Sequence, residues 1–312
     1  MSVGTNVRTP KFIRARIYFS YCQKRDAFIL FIIPGLPPIP ASKSTSVSPD
    51  LTTARLKRQP DIQMDRGRTF IISMTLVTPD TLLVSNRSKS CVQLFDSGKG
   101  GVLSQVQLQD NAGTLCLTDR NTAAVSAGKK IQMIQVKDNT LTLGTVLTVS
   151  DSILGITSSR NCLVVSYSQP PWLEVVSMDG QVQHQFDMKG KSNHIFSPSY
   201  ICTAPGGSVF ISDGGRNTIT QVDAQLNLLQ TFTSPLLHYP CGITAVTEDQ
   251  ILVCSWGNKS ILLLQPSTNT VSTLLGKDDG IELPRSLAYC TNQKKLFVTG
   301  GDTGIIQVFQ IE

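Results

Sequence analysis

Basic residues recur at one kind of position, in short polar turns that directly follow strand-like apolar runs. The run 82–85 precedes two of them, and the run 209–212 precedes another. Clustered guanidinium and ammonium groups bind phosphates or acidic peptides. This pattern predicts an anion-binding or acidic-peptide-binding surface, with ordinary solvated loop charges as the alternative, for Arg87, Lys89, Lys129, Lys130, Arg216 and Lys259.

Aromatic residues stand beside the same turns. Trp172 follows two prolines, Trp256 follows the run 252–255, and Tyr239 precedes Pro240. Exposed rings stack on nucleic-acid bases or on partner side chains, whereas buried rings pack inside the fold, and both interpretations stay open. Arg285 occupies a comparable turn and completes the predicted RNA-binding or protein-binding set.

Metal and nucleophile chemistry have weaker support. Calcium binds carboxylates, and the acids nearest the predicted surface are Asp110, Asp151, Asp213 and Asp302. Cys241 stands three residues after His238, but no third group is in place to orient such a pair. The three histidines and eight cysteines show no zinc spacing. We therefore expect no catalytic residue, no metal and no cofactor.

The elements that position these residues form a repeat. Each apolar run closes on a hydroxyl residue, and successive hydroxyls are 41, 40, 46, 43 and 44 residues apart, at Ser85, Ser126, Ser166, Ser212, Ser255 and Thr299. A period of about 40 to 45 with several strand-like runs per unit is typical of propeller blades. The sequence predicts an all-β, six-bladed β-propeller.

Two blades can be read strand by strand. The third is predicted at 153–157, 162–166, 172–177 and 181–186, and the fifth at 242–246, 250–255, 260–265 and 270–275. The sixth blade is one strand short at the C-terminus. An N-terminal strand around 53–58 is predicted to close it, because an unpaired edge would otherwise remain.

Charge and composition divide the chain. Residues 1–68 carry twelve basic and four acidic residues, and the other 244 carry a net charge of −2. Residues 1–50 are predicted to be a disordered or spurious leader, with an organellar presequence as the alternative, and 51–312 the propeller. The apolar run 27–33 is too short to span a membrane. Cysteines without pairing motifs favour a reducing, cytoplasmic location.

A second motif, Pro-x-Gly-Ile-like, begins the blades at Pro240, Pro284 and Pro198. Together with the run that ends in a hydroxyl, it resembles the NHL repeat, most fully over 198–222. About 240 residues are similar to the C-terminal propeller of invertebrate tripartite-motif-like proteins. The Asn-His-Leu triplet is absent, and the turn aspartate is present in blade four alone.

The resemblance implies a function. Propellers of the tripartite-motif class bind RNA or protein on the face considered above, and a RING finger elsewhere in those proteins confers ubiquitin-ligase activity. This sequence lacks the RING and B-box spacings, so any ligase role would come through partners. We predict a non-catalytic scaffold with a protein partner, RNA as a possible ligand, and no small-molecule substrate or membrane contact. The alternative is a calcium-dependent lactonase or esterase.

Overall fold

The computed structural model describes residues 49–64, 69–168, 171–187, 197–300 and 304–312. These residues form twenty-four strands and one short 3-10 helix, Lys277–Asp279. The strands group into six four-stranded antiparallel sheets that follow one another along the chain. The six-bladed β-propeller predicted from the repeat is confirmed.

The first three blades are built from consecutive strands, given from the inner to the outer strand. Blade 1 contains β2 Ile71–Thr78, β3 Thr81–Asn86, β4 Cys91–Asp96 and β5 Val102–Gln107. Blade 2 contains β6 Leu115–Leu117, β7 Thr122–Ala127, β8 Lys130–Lys137 and β9 Thr140–Thr148. Blade 3 contains β10 Ile153–Ser159, β11 Cys162–Ser168, β12 Pro171–Ser177 and β13 Val182–Asp187.

The other three blades follow the same order. Blade 4 contains β14 Pro198–Thr203, β15 Val209–Asp213, β16 Thr218–Val222 and β17 Leu228–Thr233. Blade 5 contains β18 Pro240–Thr247, β19 Gln250–Ser255, β20 Ser260–Gln265 and β21 Thr270–Leu275. Blade 6 contains β22 Pro284–Cys290, β23 Lys295–Gly300, β24 Ile305–Ile311 and, outermost, β1 Leu56–Gln63.

The N-terminal strand closes the ring, as predicted. β1 pairs with β24 from Leu56 opposite Ile311 to Gln63 opposite Ile305, with one irregularity on the way. It begins and ends later than the predicted 53–58, because the pairing continues along the whole of β24. Ladder hydrogen bonds contribute about 1 kcal/mol each, so this closure is a substantial share of a domain's stability.

The predicted strands of blade 5 agree with the structure except at the inner strand, which begins two residues earlier and ends one residue later than 242–246. In blade 3 the inner strand continues to Ser159 and the second to Ser168. Both inner strands end later than predicted because the Ser and Thr residues at these ends also favour turns. Residues 1–48 of the predicted leader, 1–50, and Asp302 lie outside the described residues.

The core lies between the blades. Six buried apolar clusters each combine residues of two neighbouring blades, for example Leu83 of β3 with Val125 of β7. Middle strands pack against a blade on both faces, so all six residues of β3 are buried. This two-sided burial explains why the runs are continuously apolar and do not alternate.

The recurring hydroxyl has a structural role. The inner strand of most blades has an irregular residue near its start, which leaves backbone groups without a ladder partner. The buried hydroxyl bonds to them: Ser85 Oγ accepts from Ser73 N at 3.1 Å, and Ser166 Oγ accepts from Gly155 N at 2.9 Å. In these two blades the hydroxyl satisfies a backbone donor beside the irregular residue, which accounts for its place at the end of the run.

Among the described residues, no helix has the length and apolar character needed to cross a bilayer.

Candidate functional site: the loop face and the channel mouth

One end of the propeller collects two sets of connections, those from the second to the third strand of a blade and those from one blade to the next. We call this end the loop face. Its two sets touch directly: Arg87 N donates to Phe70 O at 2.9 Å, and Trp256 N donates to Tyr239 O at 3.3 Å. The antiparallel strand order brings the sequence-predicted basic and aromatic residues to this one end.

One part of the loop face is internally neutralised. Lys129 Nζ lies 3.1 Å from Asp151 Oδ1, and Lys130 Nζ lies 3.2 Å from Asp110 Oδ2. The Ser152 backbone N–H and then Lys129 lower the pKa of Asp151. We call these four residues the paired sector. Two lysines predicted to bind a partner, and two acids considered for calcium, are therefore occupied with each other.

A buried carboxylate lies beneath the paired sector. Glu174 of β12 is fully buried, and it accepts hydrogen bonds from Tyr167 Oη at 2.6 Å, Ser150 Oγ at 2.8 Å and Gln185 Nε2 at 2.7 Å. Burial, and then Glu174, raise the pKa of Tyr167 far above its usual range. Trp172 packs edge-on against Tyr167 at 5.3 Å between ring centroids. Trp172 is half-buried, and its neighbour Tyr167 is buried.

A second part of the loop face presents aromatic surface. Tyr239 is 53% exposed, and its ring lies 5.6 Å from that of half-buried Trp256. The backbone of Tyr239 has a φ of 52°, and its N–H donates to Asn217 Oδ1 at 2.7 Å. Lys259 lies in the turn that begins at Trp256 and donates its backbone N–H to Trp256 O at 3.3 Å. Exposed Arg216 precedes Asn217, the residue that accepts from Tyr239 N. We call Tyr239, Trp256, Lys259 and Arg216 the aromatic sector.

The axis of the propeller holds a channel with a cavity of about 320 Å³. Inner strands of all six blades contribute to its wall, and none of the lining residues that the structure describes is an acid, a lysine or an arginine. Hydroxyls and thiols dominate, for example Thr114, Thr157, Ser286, Cys116 and Cys202. The wall offers no carboxylate for a calcium ion, and the described part of the chain holds no cluster of three potential metal-binding side chains.

The loop-face end of this channel is bridged. The hydroxyl of Tyr200, in blade 4, donates to the carbonyl of Ile72, in blade 1, at 3.1 Å. Blades 1 and 4 are opposite each other in a six-membered ring, so the phenol lies across the opening. Arg285 of blade 6 lies beside Tyr200 and stacks over the Phe70 ring, with its Cζ 4.6 Å from the centroid. We call Phe70, Tyr200 and Arg285 the channel mouth.

The thiol considered as a nucleophile is buried. Cys241 is 4% exposed, and it donates to Pro284 O at 3.1 Å. His238 is exposed, its N–H donates to Ser255 Oγ at 3.1 Å, and its carbonyl accepts from Gly257 N at 2.9 Å. Burial of the Cys241 thiol disfavours its use as a nucleophile.

The remaining predicted residues also lie on the loop face: Arg87 is exposed and Lys89 is half-buried, both in the β3–β4 turn. Asp213 is buried and accepts from Ser197 N and Arg216 N, each at 3.1 Å. Sequence reasoning missed Phe70 and Tyr200. A tyrosine two residues into an inner strand is long enough to reach the axis. The sequence alone does not show which inner strand places it there.

Comparisons with known proteins agree with the fold. No protein-family model and no curated protein sequence match the chain. A functionally unknown protein from Desulfotomaculum acetoxidans is 16% identical with a TM-score of 0.55, over 71% of this chain and 73% of that one. Streptogramin B lyase is 10% identical with a TM-score of 0.60, over 85% of this chain and 100% of that one.

A third similar structure is the β-propeller domain of Cps50 (Swd1) from Myceliophteria thermophila, which is 13% identical with a TM-score of 0.58, over 78% of this chain and 83% of that one. At such identities the likeness concerns the fold alone. The chain is a six-bladed β-propeller, a class whose members serve as binding scaffolds and, in some cases, as enzymes.

Proposed function

We propose that this propeller is a non-catalytic scaffold that binds a protein partner through the aromatic sector of its loop face. The observation that carries the proposal is the exposed Tyr239 ring in tilted contact with Trp256, with Lys259 and Arg216 in the adjoining turns. Tyr, Trp and Arg are the residue types that dominate binding energy at protein interfaces. The positive φ of Tyr239, a conformation that non-glycine residues rarely adopt, holds the ring at the surface.

The flanking charges define the partner's chemistry. Lys259 and Arg216 favour a segment that carries acidic side chains next to an apolar or aromatic one. RNA would use the same rings and charges, but in the paired sector two further loop-face lysines, Lys129 and Lys130, are ion-paired. A phosphate-rich ligand needs many unpaired cations, so a protein partner fits the surface better.

A non-catalytic role agrees with the channel, whose described wall carries neutral hydroxyls and thiols. A calcium-dependent lactonase or esterase would need carboxylates there. We further propose that the chain is a divergent NHL-type propeller, that it supplies substrate recognition to a tripartite-motif-like ligase partner, and that it works in the cytoplasm. The repeat motifs support the first part, and the seven described cysteines, all free thiols, support the location.

Photo-crosslinking tests the binding face. A crosslinking amino acid at position 259 should capture a discrete protein from cells, and Tyr239→Ala should abolish the capture. The control places the same amino acid at exposed Arg120, in the β6–β7 hairpin at the opposite end of the propeller. Equal capture from both positions would contradict a loop-face site. Capture of RNA in place of protein would overturn the proposal of a protein partner and identify RNA as the ligand.

A further inference from the structure

Arg285 is placed in an unusual way for an arginine. It is the irregular residue of β22, between Pro284 opposite Gly300 and Ser286 opposite Thr299. Bulges of this kind re-aim a side chain relative to the strand. Here the guanidinium lies over the Phe70 ring, and its Nε is buried without any hydrogen-bond partner. Arg285 is therefore half-buried and held by stacking.

Among the described residues, no acid is in contact with the Arg285 guanidinium. The described channel wall below Arg285 has no acid, and the described contacts of its guanidinium are with Phe70 and the neutral Tyr200 hydroxyl. That hydroxyl already donates its proton to Ile72 O. An arginine keeps its charge at every accessible pH. A buried donor without an acceptor costs stability, so the Nε side of the guanidinium lacks a partner that a ligand can supply.

We propose that the channel mouth is a carboxylate-binding site, with the Arg285 guanidinium as the anchor. The planar guanidinium fork matches a carboxylate in shape and bonds. One positive charge balances one negative charge, which favours a carboxylate over a doubly charged phosphate. This site goes beyond the proposed function, because it needs neither the aromatic sector nor a protein partner.

Two sources of the carboxylate fit the geometry. A free small carboxylate would sit above the cavity of about 320 Å³, which lies within the range of ligand pockets. Alternatively, an acidic side chain of a bound segment would reach into the mouth from the loop face. Both use the same contacts with Arg285, so the experiment needs one arm for each source.

Titrations at constant ionic strength test the site. Acetate and succinate represent the free ligand, and capped glutamate, with capped glutamine as its neutral match, represents a side chain. The readouts are the melting temperature and the fluorescence of Trp256 in a Trp172→Phe background. Trp256 is a suitable reporter because it packs against the same apolar cluster as Tyr200 of the channel mouth.

We expect a saturable response to at least one carboxylate in the wild type. Arg285→Gln should weaken it by about tenfold or more, whereas Arg120→Gln, which removes one charge from the opposite end, should leave it unchanged. Response to capped glutamate alone assigns the carboxylate to a partner side chain, and response to acetate or succinate assigns it to a free ligand.

The proposal is overturned if no carboxylate gives a saturable response, if Arg285→Gln binds as well as the wild type, or if inorganic phosphate binds more tightly than every carboxylate. Arg285→Lys keeps the charge but loses the planar fork, so it guards against misfolding of the glutamine variant. Unchanged affinity in Arg285→Lys would likewise overturn the bidentate site. None of these outcomes depends on crosslinking at position 259.

Discussion

The paired sector and the aromatic sector lie on the same face and look alike in sequence, since both have basic residues in turns after apolar runs. In the paired sector the neighbouring inter-blade connections supply Asp110 and Asp151, so Lys129 and Lys130 are ion-paired. In the aromatic sector the corresponding connection supplies Tyr239, whose ring is in tilted contact with that of Trp256. One sector is complete within the chain, and the other leaves a ring exposed.

This difference shows what a basic loop residue contributes. A lysine with a partner in its own chain positions two connections and adds little to binding. A lysine beside an exposed aromatic ring adds charge to a surface that already favours contact. Buried groups also differ in whether the chain supplies their partners. Glu174 accepts from three donors, whereas the buried Nε of Arg285 has no hydrogen-bond partner. We therefore expect mutations in the two sectors to affect different properties.

The largest effect should come from the buried network beneath the paired sector. Glu174→Ala leaves the Tyr167, Ser150 and Gln185 donors without an acceptor and should lower the free energy of unfolding by about 3 kcal/mol. Urea denaturation measures this loss, and Glu174→Gln, which keeps an acceptor oxygen, should lose less. Partner affinity of the folded protein should not change. Wild-type stability in Glu174→Ala would show that the network contributes nothing.

The next largest effect should fall on binding in the aromatic sector. Tyr239→Ala removes an exposed ring, so the affinity for the captured partner, measured by calorimetry, should fall at least about tenfold. The melting temperature should stay nearly unchanged. Leu229→Ala is the matched control, because Leu229 is also 53% exposed but lies on the outer strand β17. If both variants bind equally well, the aromatic sector is not the binding surface.

Alkaline pH should lower the free energy of unfolding through two thiols of the channel wall, Cys116 and Cys202, to the same extent. Burial raises the pKa of the Cys116 and Cys202 thiols to about 12. Because these folded-state values exceed the unfolded value near 9, the stabilisation is present below pH 9 and is lost as pH rises toward 12. Unfolding free energy should therefore fall by on the order of 1 kcal/mol per thiol between pH 8 and 10.

Cys116 belongs to blade 2 and Cys202 to blade 4, so serine variants at each position compare the two sides of the interior. Each substitution should flatten part of the alkaline decline in a pH series of urea denaturation. An unchanged decline in the double variant would assign it to other groups. A response confined to one variant would mean that the sectors differ in their interiors as well as at the surface.

The smallest effect should come from the surface ion pairs. Lys129→Gln and Lys130→Gln should each change the free energy of unfolding by less than about 0.5 kcal/mol, because exposed ion pairs are screened by solvent. Their effect on partner affinity should also be small, which contrasts with Lys259→Gln. A loss of affinity in the Lys129 variant equal to that in the Lys259 variant would erase the distinction between the sectors.

Much of the fold could be predicted because each blade repeats a short local pattern, an apolar run that ends in a hydroxyl residue. Ser85 and its equivalents each close a run that must be apolar, since a middle strand packs against neighbours on both faces. The missing outer strand of blade 6 predicted closure by the N-terminus. The register of β1 could not be predicted to the residue, because its position depends on pairing with β24, some 250 residues away in the chain.

The sequence by itself determined the number of blades, the closure of the ring and the set of residues on the loop face. These follow from the period of the apolar runs and from the alternation of strand direction, which act over a few tens of residues. The tertiary structure alone decided which loop charges find a partner, and it placed Tyr200 across the channel beside Arg285, which contacts no acid among the described residues. These contacts join residues of different blades. Residues that meet across the ring are far apart in the sequence, so their spacing follows no pattern that could predict the contact.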